Sequence, residues 1–133
     1  MRAIADLPHA AAIFAGGVVG GLLRTGLADR FPPAAGSWPW VTFAVNIAGC
    51  FVLAALVVRL QERLPPSVYR RPFLGTGLCG TLTTFSTVQV EAIRLARDGS
   101  TALAAVYVAT SLAAGFAAVM AGTALVRRAW RIV

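Results

Sequence analysis

Apolar stretches without charge alternate with short polar links along this chain, and the stretches are long enough to cross a lipid bilayer. Three of them contain no acidic or basic residue: 41–58, 73–90 and 101–126. A fourth starts at Ala10 and continues past Arg24 to Ala28. A helix needs roughly 17–25 apolar residues to span the hydrocarbon core. The pattern therefore predicts one domain of four transmembrane helices, over about 10–28, 40–60, 72–93 and 101–126.

Composition supports an integral membrane protein. Hydrophobic residues make up 58% of the chain and charged residues 13%, which leaves too little polar surface for a soluble particle of this size. Four helices can hardly enclose a transport path within one subunit. We therefore expect the chain to oligomerise and the path to lie at a subunit interface. Cys50 and Cys79 are isolated within apolar spans and are interpreted as small packing residues.

The net charge of +7 is carried entirely by arginine, and the arginines sit in separate links. They are suited to anchor helix ends at lipid head groups. No basic stripe alternates with aromatic residues, so we do not expect nucleic acid as a partner. With four spans, one side of the membrane carries eight arginines and the other side four, which favours both termini in the cytoplasm. The larger group is Arg2, Arg59, Arg63, Arg70, Arg71, Arg127, Arg128 and Arg131; the smaller is Arg24, Arg30, Arg94 and Arg97.

The centre of the third span, from Gly75 to Thr87, is rich in glycine and hydroxyl residues. Glycine and β-branched threonine both lower helix propensity, so this stretch is a poor continuous helix. A broken helix at membrane depth is tolerated where the freed backbone groups are buried or coordinate something. Carbonyls at such a break can hold a cation, and nearby N–H groups can face an anion. The alternative is a kinked helix capped by its own hydroxyls.

Polar side chains in the second and fourth spans fall at helical spacing. Thr42 and Asn46 are four residues apart, as are Tyr107 and Ser111, so each pair shares a helix face. The amide of Asn46 either forms an interhelical hydrogen bond or donates to a passing anion. Tyr107 and Ser111 either pack between helices or contribute to the same polar path.

The first span contains two overlapping GxxxG patterns in Gly16-Gly17-Val18-Val19-Gly20-Gly21. Small residues at this spacing let helix backbones approach closely in lipid, so packing is the simpler interpretation. Arg24 follows one turn later. It either attracts anions to a vestibule or extends its charge to the membrane interface.

Together these segments resemble the Fluc (CrcB) family of fluoride ion channels. The resemblance extends over nearly the whole chain, and both the number of spans and the order of the motifs agree. The third-span motif is the most specific, and the other two are weak alone. The matching motifs are Gly16-Gly17-x-x-Gly20 with Arg24, Thr42-Phe43-x-x-Asn46-x-x-Gly49, and Gly77-x-Cys79-Gly80-x-x-Thr83-Thr84-Phe85-Ser86-Thr87.

The resemblance implies an all-α membrane protein whose third helix is broken mid-membrane, assembled as an antiparallel, dual-topology dimer. Two pores at the dimer interface would export fluoride passively through the cell membrane and protect against its toxicity. A structural sodium ion at the dimer centre would bind the backbone carbonyls of Gly80 and Thr83. Arg24 would act electrostatically. The implied pore residues are Asn46, Phe85, Ser86, Thr87, Thr42, Tyr107 and Ser111.

One position departs from the family pattern. The family has a second phenylalanine three residues after the first, and this chain has Val88 there. Both the absence of an aromatic ring at this position and the unequal number of arginines on the two sides of the membrane allow a heterodimer with an oppositely oriented paralogue, as an alternative to the homodimer. In either case the partners implied are fluoride, membrane lipid and a second subunit.

Other classes of protein fit less well. A small multidrug or cation transporter needs a carboxylate in the first span, which has none, and we expect Glu91 to pair with Arg94 three residues on. The only histidine is His9, outside the spans, so an enzyme with a Ser-His pair is not expected. A structural subunit of a membrane complex is a further alternative that the GxxxG patterns would suit.

Overall fold

A computed structural model describes residues 7–62, 67 and 69–129, and these residues form an all-helical fold. Three helices are long and apolar enough to cross a membrane. They are α1 (Leu7–Arg30), α2 (Trp40–Glu62) and α5 (Thr101–Ala129). Large apolar side chains cover the outer surface of the described chain, with Phe14 74% and Phe116 71% exposed. Such a surface suits lipid and not water, which confirms the prediction of an integral membrane protein.

Between α2 and α5 the chain forms shorter helical pieces. A π-helical segment (Pro72–Cys79) is followed by the single turn α3 (Gly80–Leu82) and by α4 (Phe85–Arg97). Thr83 and Thr84, between α3 and α4, are extended, with φ/ψ of −82°/147° and −151°/123°. We call these two residues the helix break. The wide π-turns follow the glycine-rich sequence, and the N–H of Gly80 donates to the carbonyl of Gly75 five residues earlier.

Helix α1 packs on the π-helical segment with the two backbones in direct contact. A Cβ atom at Gly77 would lie 2.6 Å from the carbonyl oxygen of Ile13 and 2.9 Å from Cα of Gly16. A Cβ at Gly16 would in turn collide with the carbonyl oxygen of Phe73. The first GxxxG pattern therefore packs within the subunit, as expected for small residues between membrane helices.

The hydrophobic core lies where α5 packs against α4, with α2 beside them. Tyr107 is completely buried at its centre, in contact with Val88, Leu95 and Ala104. Trp38, just before α2, meets the Tyr107 ring edge to face, with centroids 5.3 Å apart. This core holds α4 in place directly after the helix break.

Part of the orientation argument falls outside the described residues. Arg2, Arg63 and Arg131 are not among them. Of the remaining arginines, Arg127 forms a 2.8 Å salt bridge with Glu62, which ties the end of α5 to the end of α2. The preference for cytoplasmic termini stays a prediction.

Candidate functional site at the helix break

The side chain of Asn46 holds the backbone of the helix break. Its Nδ2 donates to the carbonyl oxygen of Thr84 at 2.9 Å, and the Thr84 N–H donates to its Oδ1 at 2.8 Å. An amide that both donates to and accepts from one residue substitutes for the backbone partners an unwound segment loses. The interhelical hydrogen bond expected of Asn46 is therefore present, and one of its two Nδ2 hydrogens remains for another acceptor.

The break removes the α-helical donors of the four carbonyls of residues 80–83, and for two of them the structure shows where the donor goes instead. In a continuous α-helix the N–H of Thr84 would donate to the carbonyl of Gly80, and the N–H of Thr87 to that of Thr83. Here Thr84 N–H donates to Asn46, and Thr87 N–H donates to Oγ1 of Thr84 at 3.2 Å. The carbonyls of Gly80 and Thr83 thus lose their helical donors. These are the two residues whose carbonyls the family resemblance assigns to a sodium ion.

Thr84 also organises the hydroxyl groups that follow it. Its side chain caps α4 through Thr87 N–H. The same Oγ1 lies 3.1 Å from the Ser86 hydroxyl and 3.1 Å from the Thr87 hydroxyl. Three hydroxyls thus form a connected cluster on the first turn of α4, and Ser86 is exposed on the surface of the chain.

A groove of about 440 Å³ opens beside the break, between α2, α4 and α5. The Phe85 side chain, 57% exposed, forms part of its wall. The hydroxyl of Ser111 is buried there and has no hydrogen-bond partner within the part of the chain that the structure describes. The groove brings together five of the residues that the sequence singles out: Asn46, Thr83, Phe85, Val88 and Ser111.

Thr42 and Tyr107 lie in a separate polar cluster. The Thr42 hydroxyl donates to Oε1 of Glu91 at 2.6 Å, and the Tyr107 hydroxyl donates to Oε2 of Glu91 at 2.7 Å. Glu91 is only 8% exposed. Two hydroxyl donors compensate in part for burying a carboxylate. The hydroxyl protons of Thr42 and Tyr107 are therefore committed to Glu91.

The prediction that Glu91 pairs with Arg94 is wrong, because the carboxyl group of Glu91 points inward and Arg94 is exposed. The spacing of residues along the helix could have predicted that Glu91 faces inward. Val88, Glu91 and Leu95 follow one another at three and four residues and are all buried, so they share the inner face of α4. A second cavity, of about 340 Å³, reaches Thr42 and Glu91 from the link before α2.

Arg24 is not brought to the groove. It lies on α1, is half-buried, and its Nε is buried without a partner in the described residues. Thr81 is a contact that the sequence did not indicate. Its hydroxyl lies 3.0 Å from the carbonyl of Gly17 and 2.9 Å from that of Gly77, and so links α1 to the turn before the break.

Fold and site together define a small multi-pass membrane protein in which neutral polar groups gather around a helix break. The sequence matches the profile of the family described as CrcB-like protein, Camphor Resistance (CrcB), over residues 11–123. Because this match covers most of the chain, the protein belongs to the CrcB family.

Several relatives carry a functional name. The chain is 51% identical to "Fluoride-specific ion channel FluC 1" of Mycobacterium tuberculosis, over 92% of this chain and 93% of that protein. It is 52% identical to the protein of the same name from Mycolicibacterium paratuberculosis, with the same coverage. It is also 40% identical to "Fluoride-specific ion channel FluC" of Agrobacterium fabrum, over 88% of this chain and 94% of the relative.

Proposed function

We propose that this protein is a passive fluoride channel of the cell membrane and not an enzyme. The observation that carries the proposal is the groove at the helix break. There the second Nδ2 hydrogen of Asn46 and the hydroxyl of Ser111, which has no partner among the described residues, line the same groove as the exposed ring of Phe85. The names of the relatives support the same activity.

Fluoride chemistry suits this groove. The ion is small and strongly hydrated, so a pore must replace its water with hydrogen-bond donors at close range. The amide of Asn46 and the hydroxyl of Ser111 are neutral donors, which admit an anion without holding it as firmly as a cation would. The rim of an aromatic ring is electropositive, so Phe85 can also contact an anion.

A second subunit would complete the pore. Gly80 and Ser86 are exposed on the surface of the single chain, and free polar groups are costly in hydrocarbon. Covering the break with a subunit of opposite orientation removes this cost and encloses the groove. An antiparallel dimer built in this way contains two symmetry-related grooves and therefore two pores, with the break at mid-membrane.

The freed carbonyls at the break fit a structural sodium ion. Backbone oxygen is a suitable ligand for a small hard cation, and the carbonyls of Gly80 and Thr83 have both lost their helical donors. Each subunit would contribute the same two carbonyls, so an ion on the dimer axis would be shared equally. The ion would supply fixed positive charge and link the two breaks.

The second subunit is either an identical copy or an oppositely oriented paralogue. Val88 lines the groove and also packs in the core against Tyr107, so it forms an aliphatic wall where the family pattern has a ring. Purifying the chain alone distinguishes the two cases. Fluoride flux together with insertion in both orientations would establish the homodimer, whereas an inactive chain that recovers flux with a paralogue would establish the heterodimer.

Flux from liposomes tests the proposed function directly. Proteoliposomes loaded with potassium fluoride should release fluoride to an external electrode when valinomycin allows potassium to follow. Efflux should need neither a proton gradient nor nucleotide. The proposal is wrong if neither the chain alone nor the chain with its paralogue raises fluoride efflux above that of empty liposomes, or if flux depends on a proton gradient.

A further inference from the structure

We infer that Thr84 is a positioning residue whose hydroxyl directs the permeating ion from one neighbouring hydroxyl to the next. This inference rests on the proposed fluoride conduction. Thr84 belongs to none of the pore or sodium positions implied by the family resemblance. Its backbone is fixed on both sides by Asn46, so its side chain is held in one place. Around that side chain lie the hydroxyls of Ser86 and Thr87.

A count of protons and lone pairs defines what this cluster can do. A hydroxyl has one proton to donate and two lone pairs that accept. Oγ1 of Thr84 already accepts from the N–H of Thr87. It can therefore accept from only one of its two hydroxyl neighbours, Ser86 or Thr87, and must donate its own proton to the other.

The two neighbouring hydroxyls are consequently never equivalent. The one that donates to Thr84 has no proton left for an anion. The one that accepts from Thr84 keeps its proton free and can direct it to fluoride. At any moment the cluster thus offers one free donor, and rotation of the Thr84 hydroxyl moves that donor between Ser86 and Thr87.

This exchange suits permeation. A site with both donors aimed at the ion at once would bind fluoride tightly and release it slowly, whereas conduction needs binding that is weak enough to let the ion leave. When the Thr84 hydroxyl rotates, the hydroxyl that was donating to the ion turns its proton to Thr84. The other neighbouring hydroxyl then becomes free to donate to the ion. Ser86 lies on the surface of the single chain that the second subunit would cover and Thr87 is half-buried, so the exchange moves the ion between the subunit interface and the interior of the subunit.

Two substitutions at Thr84 separate this role from helix capping. Thr84→Ser keeps the rotating hydroxyl and the cap. Thr84→Asn keeps a capping oxygen for Thr87 N–H, but its donor and acceptor are on different atoms and cannot exchange. The measurement is initial fluoride efflux from liposomes as a function of fluoride concentration, with dimer assembly checked by size-exclusion chromatography.

Thr84→Asn should lower the maximum flux by about tenfold or more, while the half-saturating concentration stays near the wild-type value because one donor remains. Thr84→Ser should restore most of the flux. If the wild type conducts and Thr84→Asn conducts equally well, or if Thr84→Ser fails as badly as Thr84→Asn, the exchange is refuted. A wild type that does not conduct, alone or with its paralogue, contradicts the proposed function itself.

A second pair of variants covers the case in which Thr84→Asn does not assemble. Ser86→Ala and Thr87→Val each remove one end of the exchange and leave the Thr84 backbone contacts in place. Both single variants should lose maximum flux to a similar degree, and the double variant should be no worse than either. Full conduction by either single variant would overturn the inference, because the exchange needs both hydroxyls.

Discussion

Replacing Asn46 with aspartate changes one NH2 group to oxygen and adds a negative charge at the groove. The shape of the side chain is retained, and one carboxylate oxygen can still accept from the N–H of Thr84. The other oxygen now faces the carbonyl of Thr84, to which Nδ2 donates at 2.9 Å in the wild type. A donor–acceptor contact therefore becomes a contact between two acceptors, and the groove loses its amide donor.

The magnitude follows from two separate terms. The carbonyl of Thr84, the N-cap of α4, keeps the first intrahelical bond but loses the bond from Nδ2, which costs about 0.5–1.5 kcal/mol of folding stability. A carboxylate about 4 Å from a fluoride ion repels it by about 4 kcal/mol at an effective dielectric constant of about 20. Because each 1.4 kcal/mol is about a factor of ten, this repulsion alone lowers fluoride flux about a thousandfold. The variant should therefore show no flux above the background leak, with a folded but less stable protein.

Fluoride efflux from liposomes is the assay, and Gln61→Glu is the matched control. Gln61 is an exposed residue near the end of α2, so the same change from amide to carboxylate occurs on the same helix away from the groove. Gln61→Glu should conduct like the wild type. If Asn46→Asp assembles normally and conducts within about tenfold of the wild type, the repulsion argument is wrong and Asn46 does not face the ion.

Three further changes test other parts of the structure. Gly77→Ala should abolish assembly on size-exclusion chromatography, because its Cβ would meet backbone atoms of α1 at 2.6 and 2.9 Å, whereas Gly26→Ala, with nothing within 4 Å, should not. Ser111→Ala should lower electrode-measured flux by about tenfold with unchanged thermal stability, because the buried hydroxyl has no partner to lose among the residues that the structure describes. Glu91→Gln should lower the unfolding temperature in detergent, because an amide offers only one acceptor oxygen to the two hydroxyls that donate to Oε1 and Oε2 of Glu91. Unchanged flux for the serine variant, or an unchanged unfolding temperature for the glutamine variant, would contradict the respective assignment.

Hydropathy predicted the three long helices because lipid imposes a simple requirement on them. Every backbone group must be paired inside the helix, and nearly every side chain can be apolar, so α1, α2 and α5 appear in the sequence as long stretches with few or no charges. The region of residues 72–97 does not follow this rule. Its glycines and threonines indicated weak helix formation, but neither the π-turns nor the position of the break follows from propensity alone.

The polar contacts of the site were less predictable, because each joins residues far apart in the sequence. Asn46 was identified as an important amide, yet its partner is the backbone of Thr84, 38 residues away. Thr42 and Tyr107 were assigned to one polar path with Asn46, and this stays a prediction; the sequence did not indicate that both donate to Glu91. Spacing along a helix shows which residues share a face, and it does not show which group on another helix they meet.

The break is stabilised by side chains that also define the groove, and this connection explains why neutral residues suffice. Asn46 replaces one helical partner of the unwound backbone, and the Thr84 hydroxyl replaces another. Each replacement leaves one backbone carbonyl without the N–H that would donate to it in a continuous helix, and Asn46 keeps a second Nδ2 hydrogen beside the groove. In the proposed channel, the freed carbonyls would bind the cation and the neutral donors would bind the anion, so no charged side chain is required at the groove. Arg24 can therefore lie elsewhere on α1, and the buried carboxyl group of Glu91 is held by two hydroxyls, with no basic partner among the described residues.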